Sequence, residues 1–244
     1  MREFLLFATI DDESIEYKSW LSPDREYDIA FVYTGTSIDR ELELKQSCDL
    51  FFKGAIDKWQ SFYDNVDFST YQYICLIDND VTLRGDLFNK SFRFIQRNNI
   101  RVAGPAYSIR GDVPAGNHIA DTSTNRITNY IDRKTVFMKS DALIEFNQLY
   151  TQHKSAYLES TLGFLINTAC FRDNEPFHIL DFAVAVISLK QGLQRYNKHV
   201  RITDENIAID EWQHSYQVYA EINKLFLPNA PWCGGVWVKH IVNS

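Results

Sequence analysis

No apolar stretch in this chain approaches the roughly 20 residues that a membrane-spanning helix requires; the run Phe4-Leu-Leu-Phe-Ala-Thr-Ile10 stops at Asp11-Asp12-Glu13. The N-terminus also lacks the succession of basic, apolar and small residues that marks a signal peptide. The expectation is therefore a chain with no transmembrane segment, cytoplasmic as written, with the Golgi lumen in reach only for a fragment of a longer secretory-pathway protein. Cysteine is sparse: Cys48, Cys75, Cys170 and Cys233 stand far apart without C-x-x-C spacing. That excludes a zinc knuckle and a disulfide framework, and it suits a reducing compartment. Basic charge is in deficit, with 25 Lys and Arg against 32 Asp and Glu and a net charge of −7, which argues against nucleic acid as the main partner. Internal repeats, low-complexity tracts and any linker long enough to separate domains are missing as well.

What the chain does have is apolar and aromatic content, 45% and 14% of its 244 residues. That is enough to build a core and to exclude disorder for the bulk of the sequence. The first half alternates short apolar runs with amphipathic segments, the pattern of βαβ units on a parallel sheet. Strands are expected at residues 4–10, 29–33, 73–77 and 102–106. Helices are expected at 53–63, on the spacing of Ile56, Trp59 and Tyr63, and at 87–98, on that of Phe88, Phe92 and Ile95, with Asn98-Asn99 as its stop. In the second half a strand is expected at 135–138 and an amphipathic helix from Asp141 to Tyr150. Residues 179–189, apolar nearly all round, read as a buried helix. Segments 108–125 and 172–176 read as loops. The fold class expected is α/β: a Rossmann-type, mostly parallel central sheet flanked by helices, in a single domain.

The segment richest in chemistry is Tyr71-Gln-Tyr-Ile-Cys-Leu-Ile-Asp78-Asn79-Asp80-Val81. An apolar strand running into Asp-x-Asp puts two carboxylates at the carboxyl end of a parallel strand, where open α/β sheets bind ligands. Two hard oxygen donors suit Mg²⁺ or Mn²⁺, which would neutralise a diphosphate that this acidic chain has little other reason to attract. An acidic turn capping the next element would use the same string. Two enzyme classes use it for chemistry. In a nucleotide-sugar glycosyltransferase of GT-A type the pair holds a metal on the leaving diphosphate. In a phosphatase of haloacid dehalogenase type Asp78 would be the nucleophile. The phosphatase motif normally ends the first strand of its domain, whereas two strands precede Asp78, which favours the transferase. A non-catalytic carbohydrate-binding protein is the third reading.

On these residues the chain resembles GT-A glycosyltransferases and, more narrowly, is similar to the DUF707 family. Residues Tyr71 to Val81 echo that family's Tyr-Asp-Tyr-(apolar)₃-x-Asp-(Asp/Glu)-Asp-Leu. Residues Phe92 to Ala106 echo its helix, turn and strand, and Asp57-Lys-Trp59 and Arg133 to Ser140 are weaker echoes. The resemblance departs at Thr34, where the family has aspartate, and at Phe177-His-Ile-Leu-Asp181, which stands in place of a Gly-Trp-Gly-x-Asp stretch. It implies a nucleotide-binding half at about 1–106 and an acceptor-binding half at about 107–244. It also implies transfer of a hexose or pentose from a nucleoside diphosphate sugar, UDP-linked by expectation, to a glycan or glycoprotein hydroxyl.

Roles then distribute along the chain. Asp78 and Asp80 would hold the metal with His214 as third ligand, His178 and His240 being rivals. Thr9 and Asp11, at the end of the first strand, would touch ribose and base. Tyr33 would stack on the base, and Thr34 and Asn79 join the donor-binding set. Lys53 and Lys58, expected on the helix before the metal strand, would reach phosphate, although lysines on an amphipathic helix need no such role. Asp181 would be the base that takes the acceptor proton, or simply the N-cap of a helix. Residues 108–125 would cover the substrate, and Trp212, Trp232 and Trp237 would offer faces to sugar rings or fill the core.

Overall fold

The computed structural model describes residues 2–54, 58–111, 118–121, 126–153, 166–167, 169–188 and 238–240. In chain order the elements are β1 (Phe4–Ile10), β2 (Tyr27–Tyr33), α1 (Ile38–Ser47), β3 (Leu50–Lys53), α2 (Lys58–Asn65), β4 (Tyr73–Ile77), β5 (Val81–Thr82) and α3 (Gly85–Arg97). Then come β6 (Val102–Tyr107), β7 (Arg126–Thr128), β8 (Thr135–Lys139), α4 (Ser140–His153), β9 (Phe177–Ile187) and β10 (Val238–His240).

One sheet carries both halves of the chain, in the order β10-β7-β9-β6-β8-β4-β1-β2-β3, with β5 added on β9. The block β3-β2-β1-β4 is parallel throughout. Beyond it β8 runs antiparallel to both β4 and β6, and β6 and β9 are parallel again. The parallel strands are apolar on both faces because helices cover both. Leu6, Ala8, Phe31 and Cys75 pack on the side of α3, through Phe88, Phe92 and Ile95. Their alternate neighbours Leu5, Phe7, Ala30 and Ile74 pack on the side of α2 and α4, through Trp59, Phe62, Leu143 and Phe146. Phe4 stacks on Phe92 at 4.8 Å between ring centroids, and Phe7 meets Phe62 edge-on at 4.9 Å. Helix α3 stops where the asparagine pair predicts: Asn99 takes a φ of 48°, and the N–H of Ile100 closes back onto Ile95 O.

Two expectations are corrected. The helix expected from residue 53 begins at Lys58, because residues 50–53 form β3, with Phe51 opposite Phe31. The buried helix expected at 179–189 is β9. Its apolar run is continuous because it is packed inside the sheet, pairing with β6, β7 and β5, and a run of that kind reads equally as a buried helix. Strand β9 is also irregular. Leu180 pairs with Pro105 and Val184 with the adjacent Ala106, so Asp181, Phe182 and Ala183 are extra residues against β6.

Candidate active site

The carboxyl ends of β1, β4 and β9 converge on a cleft of about 1080 Å³ lined by Asp11, Glu13, Ser14, Glu16, Asn79, Asp80, Arg110 and Ser188, among others. That volume suits a nucleotide-sized ligand. Its floor is the turn after β4, closed by the N–H of Val81 on Asp78 O at 3.2 Å, with Asn79 and Asp80 at the corners. Short β5 then departs to pair with β9 instead of returning along β4. The turn is held from three sides: Trp20 Nε1 donates to Val81 O at 2.9 Å, Ser188 N donates to Asp80 O at 2.7 Å, and Asp78 N donates to Lys134 O at 2.9 Å.

Three of the residues expected at the site meet in this cleft. Asp11 follows β1 and uses Oδ1 to accept from the N–H groups of Glu13 and Ser14, at 3.1 and 2.8 Å. Asn79 Nδ2 crosses to Asp11 Oδ2 at 3.0 Å and Ser14 Oγ at 2.8 Å, tying the ends of β1 and β4 together. Asp80 is half-buried and presents its carboxylate beside that of buried Asp78.

Between those two carboxylates lies Lys134, with Nζ 2.6 Å from Asp80 Oδ2 and 3.3 Å from Asp78 Oδ2. A guanidinium nitrogen of Arg133 stands 3.8 Å from Asp78 Oδ2. Burial works against the Lys134 ammonium, but the charges of Asp78 and Asp80 outweigh it and raise its pKa. Beside them Asp132 is pushed up to about 6, chiefly by burial. On the far wall, Arg110 sits on a tight turn after β6. Ser108 N donates to Ala185 O of β9 at 2.8 Å, and Gly111 N to Ser108 O at 3.3 Å. A Cβ on Gly111 would fall on the carbonyl of Ile187, so the close approach of this turn to β9 requires glycine.

A divalent ion is tested by the donors present. Asp80 Oδ1 is buried without a hydrogen-bond partner, an orphan acceptor of the sort a cation satisfies. With Asp78 it offers hard oxygen donors of the right kind. Among the described residues no group of three or more His, Cys, Asp or Glu gathers to hold a metal, and His214 lies outside the described residues.

Other expected residues are placed elsewhere. Tyr33 is fully buried, its hydroxyl bonded to Asp12 and to Ser37 O. Phe51 and the Lys53 ammonium lie against its ring, so it has no open face for a base. Thr34 donates its N–H to Ile10 O at 2.9 Å, and Thr9 lies half-buried within β1; neither lines the cleft. Lys53 ends a strand, not a helix, and its ammonium is 2.9 Å from Glu41 of α1. Lys58 opens α2, its side chain lying outside the described residues. Asp181, expected at a helix start, stands inside β9 with its side chain fully buried. Both its oxygens are engaged by Arg126, and Oδ1 also accepts the N–H of Asp121 at 3.2 Å. His178 is at the opposite end of β9, pushed down to about 4 by burial. Trp212, Trp232 and Trp237 fall outside the described residues.

The residues that sequence reasoning missed are Lys134, Arg133, Glu16, Arg110 and Ser188. The signal for the first two was the string Arg133 to Ser140, which reaches the site only because β8 pairs antiparallel with β4, setting Thr135 opposite Ile77.

Neither a protein-family model nor a curated protein matches the chain by sequence. Its fold does match solved structures. The crystal structure of S. aureus TarS 1-349 gives a TM-score of 0.55 at 12% identity, over 77% of this chain and 60% of that one. That of S. aureus TarS gives 0.53 at 10% identity, over 78% and 37%. That of TarS 1-349 in complex with UDP-GlcNAc gives 0.52 at 10% identity, over 79% and 60%. The chain thus spans about 60% of the length of TarS 1-349. At these identities the likeness carries the fold alone: one α/β domain whose mostly parallel sheet is flanked by helices, similar to that of TarS.

Proposed function

We propose that the chain is a metal-dependent glycosyltransferase that moves a hexose or pentose from a nucleoside diphosphate sugar, UDP-linked, to the hydroxyl of a glycan or glycoprotein. The observation that carries this reading is the meeting of Asp11, Asn79 and Asp80 in one cleft at the carboxyl ends of β1 and β4, with Asp78 behind them. The fold's likeness to TarS, solved with UDP-GlcNAc and with UDP, supports it. The narrower likeness to DUF707 rests on the strings at 71–81 and 92–106, with weaker echoes at 57–59 and 133–140.

Asp78 and Asp80 would hold Mn²⁺ or Mg²⁺, which when bound supplies positive charge against a departing diphosphate. The chain's own residues do the rest. Asn79, braced on Asp11 and Ser14, fixes the separation of the two strand ends. Arg110, which among the described residues is the basic side chain lining the cleft, meets phosphate from the opposite wall. Asp181, closed in by Arg126, acts here as a positioning residue that shapes β9, not as a proton acceptor. The test is calorimetry with UDP and Mn²⁺. The intact protein should bind UDP in a Mn²⁺-dependent manner and Asp80→Ala should lose that dependence; a variant that keeps Mn²⁺-dependent UDP binding and turnover sinks the assignment.

A further inference from the structure

The proposed reaction assigns no task to the ammonium of Lys134, which lies against the aspartate pair beside the cleft. Its place is dictated by topology. Because β8 runs antiparallel to β4 with Thr135 opposite Ile77, the residue before Thr135 is delivered to the residue after Ile77, and Asp78 N donates to Lys134 O at 2.9 Å. From that anchor the side chain reaches one oxygen of each aspartate, at 2.6 and 3.3 Å. Its side chain is only 22% exposed, so the contact is shielded and little weakened by water. The other oxygen of Asp80, Oδ1, remains buried and without a hydrogen-bond partner.

We infer that Lys134 is a tethered counter-ion that competes with a divalent cation for the Asp78–Asp80 pair. An ion that takes the Oδ2 oxygens of both carboxylates competes with the ammonium for them, because the two positive charges repel at contact distance. Metal alone therefore binds weakly. The displaced ammonium then needs a new anionic partner, and a phosphate oxygen brought in with the metal supplies one, so that metal and diphosphate enter together. This inference rests on the reading of Asp78 and Asp80 as the metal-holding pair.

The experiment titrates Mn²⁺ without nucleotide into the intact protein, Lys134→Met and Lys134→Arg. Lys134→Met should bind Mn²⁺ at least tenfold more tightly than the unaltered chain, and Lys134→Arg, which keeps the charge, should show no gain. Equal or weaker Mn²⁺ binding by Lys134→Met overturns the inference, as does a matching gain in Lys134→Arg. Removal of the lysine leaves two neighbouring carboxylates opposed, so melting temperature is read alongside. Mn²⁺ should raise it more in Lys134→Met than in the unaltered chain, and an equal rise counts against the proposal. Should Lys134→Met fail to fold, Lys134→Gln, which retains a hydrogen-bond donor toward Asp80, carries the same expectations. A separate titration of UDP with Mn²⁺ into the unaltered chain tests the donor reading. Its failure would leave a gain of metal affinity in Lys134→Met standing, so the two ideas fall separately.

Discussion

Arg126 of β7 grips both oxygens of Asp181 of β9, Nη2 to Oδ1 at 2.7 Å and Nε to Oδ2 at 3.0 Å, with both side chains shut away from solvent. The pair sits where β9 carries extra residues against β6, so it closes a gap that the backbone ladder leaves open. Loss of one partner strands a buried charge, whereas loss of both does not. Asp181→Ala should therefore cost about 3–5 kcal/mol of stability in urea unfolding, and Arg126→Met with Asp181→Leu should be less damaging than either single change. A loss below about 1 kcal/mol in Asp181→Ala would match an exposed pair and remove the structural role.

Arg110 and Gly111 adjoin on one turn but act through different physics. Arg110 is exposed at the cleft and braced by its own N–H on Ser108 Oγ at 3.2 Å. Arg110→Ala should leave the melting temperature unchanged and weaken UDP binding about tenfold, the usual scale of a charge-assisted hydrogen bond. Gly111→Ala drives a methyl onto the carbonyl of Ile187, so it should lower the melting temperature, by about 1–3 kcal/mol of stability, as well as the affinity. Equal effects of the two variants on stability would contradict the contrast.

The divide between what the sequence revealed and what it concealed follows the range of the contacts. Strands β1, β2 and β4 are apolar runs ended by acidic or polar turns, a local signal, and Asp78 and Asp80 follow directly from β4. Strand β3 is only four residues long, and its last residue, Lys53, reads equally as the start of the helical pattern that follows. Strand β9 is apolar on both faces because it lies within the sheet, and composition does not separate that from a buried helix. Lys134 and Arg110 arrive through non-local pairing: the string Arg133 to Ser140 and the loop at 108–125 point to their neighbourhoods, but the pairings that bring these two side chains to the cleft lie far away in sequence. Tyr33 escapes a local reading for a similar reason: it ends its strand, but Asp12 and Phe51, distant in sequence, cover it.

Asp12 gives a prediction in pH. Its carboxylate lies at the start of α1, accepting the N–H groups of Thr36 at 2.9 Å and Ser37 at 3.2 Å as well as the Tyr33 hydroxyl, and a Cβ on Gly35 would collide with it. The Thr36 N–H first, and the Tyr33 hydroxyl after it, lower its pKa from 3.8 to about 2. A carboxyl with a depressed pKa in the folded state binds fewer protons there than in the unfolded chain, so between these values stability rises with pH. The contribution is complete above about pH 4 and disappears as pH falls through about 2. Asp12→Asn should accordingly melt below the unaltered protein at pH 7, with the gap closing as the two are compared at pH 4, 3 and 2. A gap that stays constant across that series would mean the hydrogen bonds do not depend on the charge, and the account of how this carboxylate fastens the end of β2 to α1 would fail.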